Sequence, residues 1–456
     1  MSNYIVKSKS VKKSYLLEKN SLSAFSFRKI VCPNKNTKKL GSLLKNHSKG
    51  FEPGSDSYIK ISDNYFIRIS ELSDSNLTFG ISENTIKIQP FFEGKSKLTY
   101  GNICYQTASN VGNVCFYDGP EAYFNSHIIK LEFEKDEEYI FSILKSEFGK
   151  SQVEVSGSIK GVDNFNKGLL LNSLIPFPTS KNHSNPDLIK QYVSLLTRNI
   201  IDKEKQIKQR QNLIDDLIYS ELLENQKSTF KYNLPKKSDL LNHKRIDTGL
   251  YTKKYKKENH LIENYKKGYF QIPVDKFKSG STPRIRIFNG IKYKYQWVTP
   301  TNITDEGFFV PAETISTPKA NNLNEDCILF INRTSKGKKG EYVGITSFYD
   351  CNYYGIGHHN QGIYRVQDLE KNKSIFICAF MNSKIMRKIC GNISLGSKMK
   401  EMKVDNFCEL KFPNFRSSIE SNIVELFYYE EKKLNFNLNT YLENEKNRNK
   451  ELGIFQ

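Results

Sequence analysis

The sequence contains no long hydrophobic stretch. No run of about 18 apolar residues occurs, so no segment is expected to span a membrane as a helix. The first residues, Met1 to Lys7, are too polar for the apolar core of a signal peptide. The eight cysteines form no Cys-x-x-Cys pair and have no histidine at zinc-ligand spacing, which favours reduced thiols over disulfides or metal ligands. We therefore expect a cytoplasmic protein.

Several enzyme motifs are also missing. There is no Walker-type Gly-x-x-x-x-Gly-Lys-Ser/Thr loop, no Asn/Asp-Pro-Pro-Tyr/Phe segment of the amino-methyltransferases, and no convincing glycine-rich loop for S-adenosylmethionine. The adjacent His358 and His359 lie in a glycine-rich stretch, where such pairs are more often surface or DNA-facing groups than catalytic ones, and a metal site there is the less favoured alternative. We expect a chain that is not an enzyme and that binds no cofactor or metal itself.

What the sequence has in excess is positive charge. Lys and Arg number 69 against 49 Asp and Glu, which gives a formal net charge of +20. Such an excess favours a polyanionic partner, with nucleic acid first and an anionic membrane surface second. The alternative is a lysine- and asparagine-rich composition bias without any such partner.

The two halves of the chain resemble each other faintly. Residues 297–303, 328–344 and 360–361 have counterparts at 67–72, 103–114 and 125–126. The offset between matched positions is nearly constant: Asn360 follows Asn125 by 360 − 125 = 235 residues, and Gly396 follows Gly157 by 396 − 157 = 239. We infer a duplicated unit, and hence a molecule that makes the same kind of contact twice.

Local patterns predict β-rich units, each followed by a long helix. Short β-branched and aromatic runs bounded by turn residues dominate both halves, with one short helix expected at residues 138–148. The predicted segments are an N-terminal arm at 1–37, a first domain at 38–184, a long spacer helix at 185–225, a basic connector at 226–268, a second domain at 269–414 and a second long spacer helix at 415–452. The connector is as consistent with a solvated linker as with a phosphate-contacting segment. The predicted fold class is α+β: two mixed α/β domains separated by a long antiparallel two-helix coiled coil.

Both predicted helices carry an apolar residue every seven positions, as a coiled-coil seam does. The seam consists of Val193, Ile200, Ile207 and Ile214 in the first helix, and of Phe427, Leu434 and Tyr441 in the second, with Leu438 beside them. Because a lone helix would leave this stripe in water, we expect the helices to pair with each other and to dock partner subunits. A helix of 35–40 residues is roughly 50–60 Å long, against roughly 34–36 Å for one turn of B-form DNA. Two domains at the ends of such a rod could therefore bind two half-sites.

The second domain carries the clearest motifs. In order, they are a Gly-Ser-Thr-Pro loop from Gly280, Trp-Val-Thr-Pro-Thr-Asn-Ile from Trp297, a strand leading into the basic stretch 332–340, Asn360-Gln361, and Phe412-Pro413 before the last helix. This order resembles a target-recognition domain of type I restriction–modification specificity subunits. The first half resembles the same domain more loosely, since it has Lys49-Gly50-Phe51-Glu52-Pro53-Gly54 in place of the Gly-x-Thr-Pro loop. The resemblance extends from about residue 38 to residue 451.

The resemblance implies a non-enzymatic DNA-recognition subunit that binds a bipartite double-stranded target. It implies that two methyltransferase subunits dock on the chain and that translocating restriction subunits can join them. S-adenosylmethionine, ATP and Mg are then expected on the partner subunits. One alternative is a self-contained methyltransferase or nuclease fragment with its own recognition domains. Another is a related defence or phage protein that uses the same frame to bind a protein.

Polar side chains on predicted loops are the candidates for contacts with DNA. Arg333, in particular, is a candidate for a guanine edge, although an ordinary charged hairpin at 332–340 is the alternative. The candidate set is Lys49, Arg68, Asn110, Lys160, Lys278, Arg284, Arg286, Lys292, Lys294, Arg333, Lys336, Lys338, Lys339 and Lys398.

Overall fold

The chain divides into unit 1, Met1–Ile207, and unit 2, Lys208–Gln456, each of mixed α/β structure. The computed structural model describes residues 4–7, 13–14, 28–32, 34–72, 76–82, 85–155, 167–181, 185–238, 248–285, 287–288, 294–311, 313–317, 322–334, 342–396 and 399–428. Among these residues, no helix is long and apolar enough to cross a membrane. The eight cysteines all lie in the described part and carry free thiols.

The strands of unit 1 form two larger sheets and two small ribbons. They are β1 (Ile5–Lys7), β2 (Arg28–Ile30), β3 (Thr37–Lys39), β4 (Leu44–Lys49), β5 (Tyr58–Ile59), β6 (Tyr65–Ile67), β7 (Thr78–Phe79), β8 (Ile86–Ile88), β9 (Lys97–Leu98), β10 (Ile103–Gln106), β11 (Val114–Tyr117), β12 (Ala122–Phe124), β13 (Ile128–Phe133) and β14 (Leu174–Pro176). Sheet 1A has the order β4-β13-β10-β11-β7, and sheet 1B has the order β5-β8-β6-β12-β9. The ribbons pair β1 with β2 and β3 with β14.

The strands of unit 2 repeat this arrangement. They are β15 (Tyr269–Phe270), β16 (Phe277–Ser279), β17 (Ile287–Phe288), β18 (Lys294–Val298), β19 (Thr314–Ser316), β20 (Asn322–Leu323), β21 (Cys327–Ile331), β22 (Arg333–Thr334), β23 (Thr346–Tyr349), β24 (Gly357–His359), β25 (Ile363–Val366), β26 (Lys400–Glu401) and β27 (Phe412–Pro413). Sheet 2A has the order β16-β25-β21-β23, and sheet 2B has the order β17-β19-β18-β24-β20. Small ribbons pair β15 with β27 and β22 with β26.

The strand orders of the two units match position by position. If the five strands of sheet 1B, and likewise those of sheet 2B, are numbered 1 to 5 along the chain, their order across both sheets is 1-3-2-5-4. The third and fourth strands of that spatial row run parallel in both sheets, as β6 with β12 and as β18 with β24. Sheets 1A and 2A share four strands in the same order, and β7 is an additional edge strand of sheet 1A. The duplication inferred from the sequence is therefore present in the topology.

Helices cover one face of each A sheet. In unit 1 these are α1 (Glu137–Lys145), α2 (Glu147–Val155) and α3 (Lys167–Leu171). Unit 2 contains α5 (Lys253–Glu263), α6 (Cys351–Tyr354), α7 (Lys371–Asn382), α8 (Lys384–Ile393), α9 (Val404–Cys408) and α10 (Ser417–Phe427). The long helix α4 (Pro186–Glu224) begins in unit 1 and ends in unit 2.

The central strands of each A sheet are buried on both faces. Side chains alternate along a strand, so successive residues enter different cores. On β10, Ile103 and Tyr105 join the helix-side core of unit 1, while Cys104 joins the core between the two sheets. On β21, Ile328 and Phe330 face the helix-side core, while Leu329 joins the inter-sheet core. Each unit is thus layered as helices, A sheet and B sheet.

Two helix predictions differ from the structure. The single short helix expected at 138–148 is two helices, α1 and α2, separated at Ser146, where the backbone is extended. Within the stretch predicted as a basic connector, α5 packs Leu261 and Ile262 into the helix-side core of unit 2. The many lysines of this stretch are typical of a solvated linker. Its apolar residues, however, recur on one face of the helix, and this face packs on the core.

Candidate nucleic-acid interface

In unit 2, three strand ends meet at one junction, which we call corner 2. It consists of the loop after β16 that begins at Gly280, the short 3-10 turn Pro300–Asn302 after β18, and the turn at Asn360 after β24. The Asn360 amide donates to the carbonyl of Val298 at 2.9 Å, which joins the ends of the two parallel strands. The Asn360 side-chain oxygen accepts from the Gly362 amide at 2.9 Å.

The remaining bonds of corner 2 fix its loop and its 3-10 turn. Gly280 donates its amide hydrogen to the Ile363 carbonyl at 3.3 Å, and Ser281 donates to the His359 carbonyl at 3.0 Å. The amide of Thr299 donates to the side-chain oxygen of Asn302 at 3.0 Å, closing the turn as a capping box. The loop is therefore held by backbone bonds, which do not depend on the identity of its side chains.

Unit 1 contains the same junction, corner 1, at its loop after Lys49, its 3-10 turn Ile69–Glu71 and its turn at Asn125. The Asn125 amide donates to the Ile67 carbonyl at 2.9 Å, and its side-chain oxygen accepts from the His127 amide at 2.8 Å. The Arg68 amide donates to a carboxylate oxygen of Glu71 at 2.9 Å, as Thr299 does to Asn302. The sequence match between 67–72 and 298–303 is therefore a match of a capped turn.

The loop of corner 1 is held as that of corner 2 is. Gly50 donates to the Ile128 carbonyl at 3.2 Å, and Phe51 donates to the Phe124 carbonyl at 3.0 Å. Gly280 is thus the counterpart of Gly50, with an offset of 280 − 50 = 230. Unit 1 lacks the Gly-Ser-Thr-Pro motif, but its loop makes the same backbone hydrogen bonds.

Both glycines are required by the close approach of another chain segment. A Cβ on Gly50 would lie 2.2 Å from the Phe124 carbonyl oxygen, and one on Gly280 would lie 2.1 Å from the Asn360 carbonyl oxygen. These distances are far below van der Waals contact, so any larger residue must displace the backbone.

A side chain of the loop closes each corner. In unit 1, Glu52 accepts from the Asn125 side-chain amide at 2.7 Å and from the Ser126 hydroxyl at 2.6 Å. In unit 2, the hydroxyl of Thr282 donates to the side-chain oxygen of Gln361. The closing contacts occupy equivalent positions but use different chemistry, so the two loops present different surfaces on similar frames.

The histidine pair is buried, which corrects the surface or DNA-facing placement expected from its glycine-rich surroundings. His358 and His359 are both 0% exposed. The His358 ring stacks on Trp297 at 5.6 Å between centroids, and its Nε2 lies 2.9 Å from the Ser281 carbonyl oxygen. Burial lowers the pKa of His358 below its ordinary value, although the Ser281 bond opposes this. The pair supports the loop of corner 2 from inside.

The predicted DNA-contacting residues fall into four groups, the last of which consists of Arg68 and Arg333. Lys49 lies at corner 1, and Lys278 and Arg284 flank the loop of corner 2; all three are exposed, as is Lys294 at the start of β18. Asn110 is exposed on the separate hairpin between β10 and β11. The candidates Lys160, Arg286, Lys292, Lys336, Lys338, Lys339 and Lys398 lie outside the described residues.

Two of the four candidate arginines, Arg68 and Arg333, are partly buried. Arg68 forms an ion pair with Glu71, with 3.3 Å between its guanidinium nitrogen and the carboxylate oxygen. Arg333 is half-buried on β22, opposite Glu401 of β26. Their roles in DNA contact stay predictions.

Three lysines near corner 1 are not among the DNA-contacting residues predicted from the sequence. The Nζ of Lys87 lies 5.1 Å from the centre of the Tyr65 ring, that of Lys95 lies 5.7 Å from Phe51, and that of Lys97 lies 4.8 Å from Tyr123. Each ring belongs to the loop or to a strand that ends at corner 1, so the cations are held beside the junction. Lys95 lies in the bend before β9 and Lys97 begins that strand, and the alternation of these two lysines around Ser96 was the available signal in the sequence.

The seam of the long helix is buried unevenly. Val193 packs against the helix-side core of unit 1, and Ile214 is buried with Ile218 and Leu222 in that of unit 2. Ile207 is half-buried, whereas Ile200 is 49% exposed. Phe427 is buried in unit 2, and Leu434, Leu438 and Tyr441 lie outside the described residues. The antiparallel coiled coil therefore stays a prediction.

Carboxylates attach each part of the long helix to its own unit. Glu204 accepts from the amides of Leu77 and Thr78, at 2.8 Å each, at the start of the edge strand β7. In unit 2, Asp215 accepts from the Lys384 amide at 2.7 Å, at the start of α8. Glu221 is buried; burial raises its pKa, but bonds from Arg416 and Tyr265 outweigh this and hold the pKa below its ordinary value.

Comparisons with solved structures find chains from type I restriction–modification systems. One is an S subunit from M. genitalium, with 13% identity, coverage of 93% of this chain and 95% of that chain, and a TM-score of 0.39. Another is the HsdS subunit from Thermoanaerobacter tengcongensis, with 12% identity, coverage of 88% and 89%, and a TM-score of 0.28. A third belongs to a study of the assembly and conformational transition of a type I system, with 12% identity, coverage of 88% and 90%, and a TM-score of 0.28. No protein-family model matches the sequence, and no curated protein does either.

In the part of the chain that the structure describes, no cluster of three His, Cys, Asp or Glu side chains is placed to hold a metal ion.

Proposed function

We propose that this chain is the DNA-recognition subunit of a type I restriction–modification complex and binds a bipartite double-stranded target. The observation that carries the proposal is the repeated corner. Two units of one polypeptide hold a loop by the same backbone bonds, and exposed cations stand beside each loop. A protein that needs two similar but differently lined contact surfaces, and carries a net charge of +20, is suited to binding two half-sites on a polyanion.

The proposal extends to partners and cofactors. Two methyltransferase subunits dock on the chain, in the cytoplasm, and translocating restriction subunits can join them. S-adenosylmethionine, ATP and Mg belong to those partners, and this chain performs no chemistry. The long helix, with 39 residues, sets the number of unread base pairs between the half-sites.

Exchange of the second predicted domain, which lies within unit 2, tests the division of the target. Residues 269–414 are replaced by the corresponding segment of another such subunit, and the methylated sequence is determined in a host that carries the methyltransferase partners. One half of the methylated motif is expected to change while the other half is retained. A change in both halves, or in neither, would contradict the assignment of one half-site to each unit.

The purified chain by itself is expected to bind DNA without catalysing any reaction on it. It should bind duplex DNA with an affinity that falls steeply with salt, because each neutralised phosphate releases counterions. It should neither bind S-adenosylmethionine nor modify DNA, and turnover by the chain alone would favour an enzyme that carries its own recognition domains.

A further inference from the structure

Strand β17 of unit 2 exposes large apolar side chains in succession. Ile287 is 62% exposed and Phe288 is 47% exposed, and Ile285, just before the strand, is 70% exposed. The strand lies at the edge of sheet 2B, where its partner among the described strands is β19. An exposed apolar edge of this kind favours association with another molecule.

The charges around this edge indicate what that molecule is. Residues 276–304 contain six Lys and Arg residues and no Asp or Glu. Of these cations, Lys278, Arg284 and Lys294 are exposed in the structure. A second copy of a chain with a net charge of +20 would be repelled, whereas a polyanion would be attracted. A DNA groove has phosphates at its rims and apolar thymine methyl groups and sugars between them.

An aromatic residue occupies the same edge position in unit 1. Phe288 pairs with Ile315 across its sheet, and Tyr58 pairs with Ile88 across the equivalent sheet. Their offset, 288 − 58 = 230, equals the offset between the two corner glycines. Tyr58 is 39% exposed and rests against Phe66, with 6.3 Å between ring centroids. The exposed aromatic is therefore a property of the repeated frame.

We propose that the edge strand β17 enters a groove of the half-site bound by unit 2 as an apolar wedge, with Ile287 and Phe288 on its opposite faces and Ile285 just before it. The wedge contacts base edges and sugars while the neighbouring cations contact the phosphates at the groove rims. In unit 1, Tyr58 makes the equivalent contact. This inference rests on the proposed function and adds to it the side chains that reach the bases.

The test compares two double variants of the full chain. Ile287→Ser with Phe288→Ser removes the two wedge side chains on strand β17. As the control, Val274→Ser with Tyr353→Ser removes two other apolar side chains of unit 2, which are 55% and 73% exposed. Duplexes are first selected from a randomised pool by the wild-type chain, and affinities for the selected duplex are then measured over a salt series. The wedge variant is expected to bind about tenfold more weakly, because apolar contact area is lost. The slope of log affinity against log salt should be unchanged, because the cations remain. The control variant should bind like the wild type.

The outcomes separate this inference from the proposed function. If the wild-type chain selects and binds DNA but the wedge variant binds equally well, the wedge is refuted and the proposed function stands. If the wild-type chain shows no salt-dependent DNA binding, the proposed function fails. Self-association of the wild-type chain that the wedge variant alone abolishes would identify a protein occupant and overturn the wedge. A further readout is the replacement of thymine by uracil in the selected half-site, which should weaken the wild type more than the wedge variant.

Discussion

Unit 1 and unit 2 share the backbone bonds of their corners but differ in the side chains around them. Phe66 and Tyr123 in unit 1 correspond to Trp297 and His358 in unit 2, and each pair lies on the parallel strands that end at the corner. The loop is closed by a carboxylate, Glu52, in one unit and by a hydroxyl and an amide in the other. The comparison indicates that the frame is specified by backbone geometry, so the contact surface is free to diverge.

The largest expected effect tests whether the two corners are equivalent. Gly50→Ala and Gly280→Ala should each destabilise their own unit by about 3 kcal/mol or more, because a Cβ would overlap a backbone carbonyl. Hydrogen-exchange mass spectrometry of the full chain, resolved by peptide, locates the loss of protection. The neighbouring exposed residues provide controls, since Lys49→Ala and Ser279→Ala should leave protection unchanged. A large effect in one unit and a small one in the other would show that the corners differ.

A smaller effect is expected from the carboxylates that anchor the long helix. Glu204→Ala leaves the amides of Leu77 and Thr78 without their acceptor, and Asp215→Ala does the same to the first amide of α8. Each loss should cost about 2 kcal/mol. Chemical denaturation followed by unit-specific probes should place the first loss in unit 1 and the second in unit 2. Equal effects of either change on both units would mean that the units unfold together.

The asparagine turns should respond alike in the two units. Asn125→Ala and Asn360→Ala each remove a side-chain acceptor for the amide two residues later. We expect a loss of about 1 kcal/mol for either change, with the loss at Asn125 somewhat larger because its side-chain amide also donates to Glu52. Urea midpoints of the two variants, measured under one condition, give the comparison. A larger loss at Asn360 would contradict this order.

A further expected effect concerns pH, and its sign is opposite in the two units. Burial raises the pKa of Glu137 in unit 1 from 4.5 to about 7, so its protonated form favours folding and stability is lost as the pH rises through 7. The lowered pKa of His358 in unit 2 means that its neutral form favours folding, so stability is lost as the pH falls below 6.5.

Single substitutions isolate the two groups. Glu137→Gln should stabilise unit 1 at pH 8 and have little effect at pH 4, because glutamine resembles the protonated acid. His358→Phe should remove the part of the acid sensitivity of unit 2 that depends on this histidine, whatever its effect on stability at neutral pH. Thermal unfolding measured across this pH range checks both, and an unchanged pH profile in either variant would refute the corresponding assignment.

The sequence was most informative where side chains make the turn. The match of Asn125 with Asn360 and the capped turns after Ile67 and Val298 were visible because those residues donate or accept the bonds themselves. The sequence placed the segment around Gly50 opposite the loop of Gly280, but the shared contacts of the two glycines could not be predicted, because backbone atoms make them and the neighbouring residues differ. Likewise, two adjacent histidines among glycines give no sign that an aromatic ring and a carbonyl lie over them.

The heptad pattern predicted the long helix but not its packing. A strict repeat of seven places Ile200 on the seam. In the part of the long helix that belongs to unit 1, however, the buried side chains are those of Leu195 and Thr197. The described part of the helix packs on the cores of the units themselves, whose surfaces do not follow the repeat of a partner helix. Tertiary contacts therefore decided which face is buried.

The spacing within each corner bears on how such a protein can be altered. The aromatic of the parallel strand follows the loop glycine by 66 − 50 = 16 positions in unit 1 and by 297 − 280 = 17 positions in unit 2, and the corner bonds are the same. A difference in length is thus absorbed without moving the anchoring atoms. Segments of varied length and composition grafted between these two points should be accepted by the frame, which makes the stretch a natural place to build libraries for new target preferences.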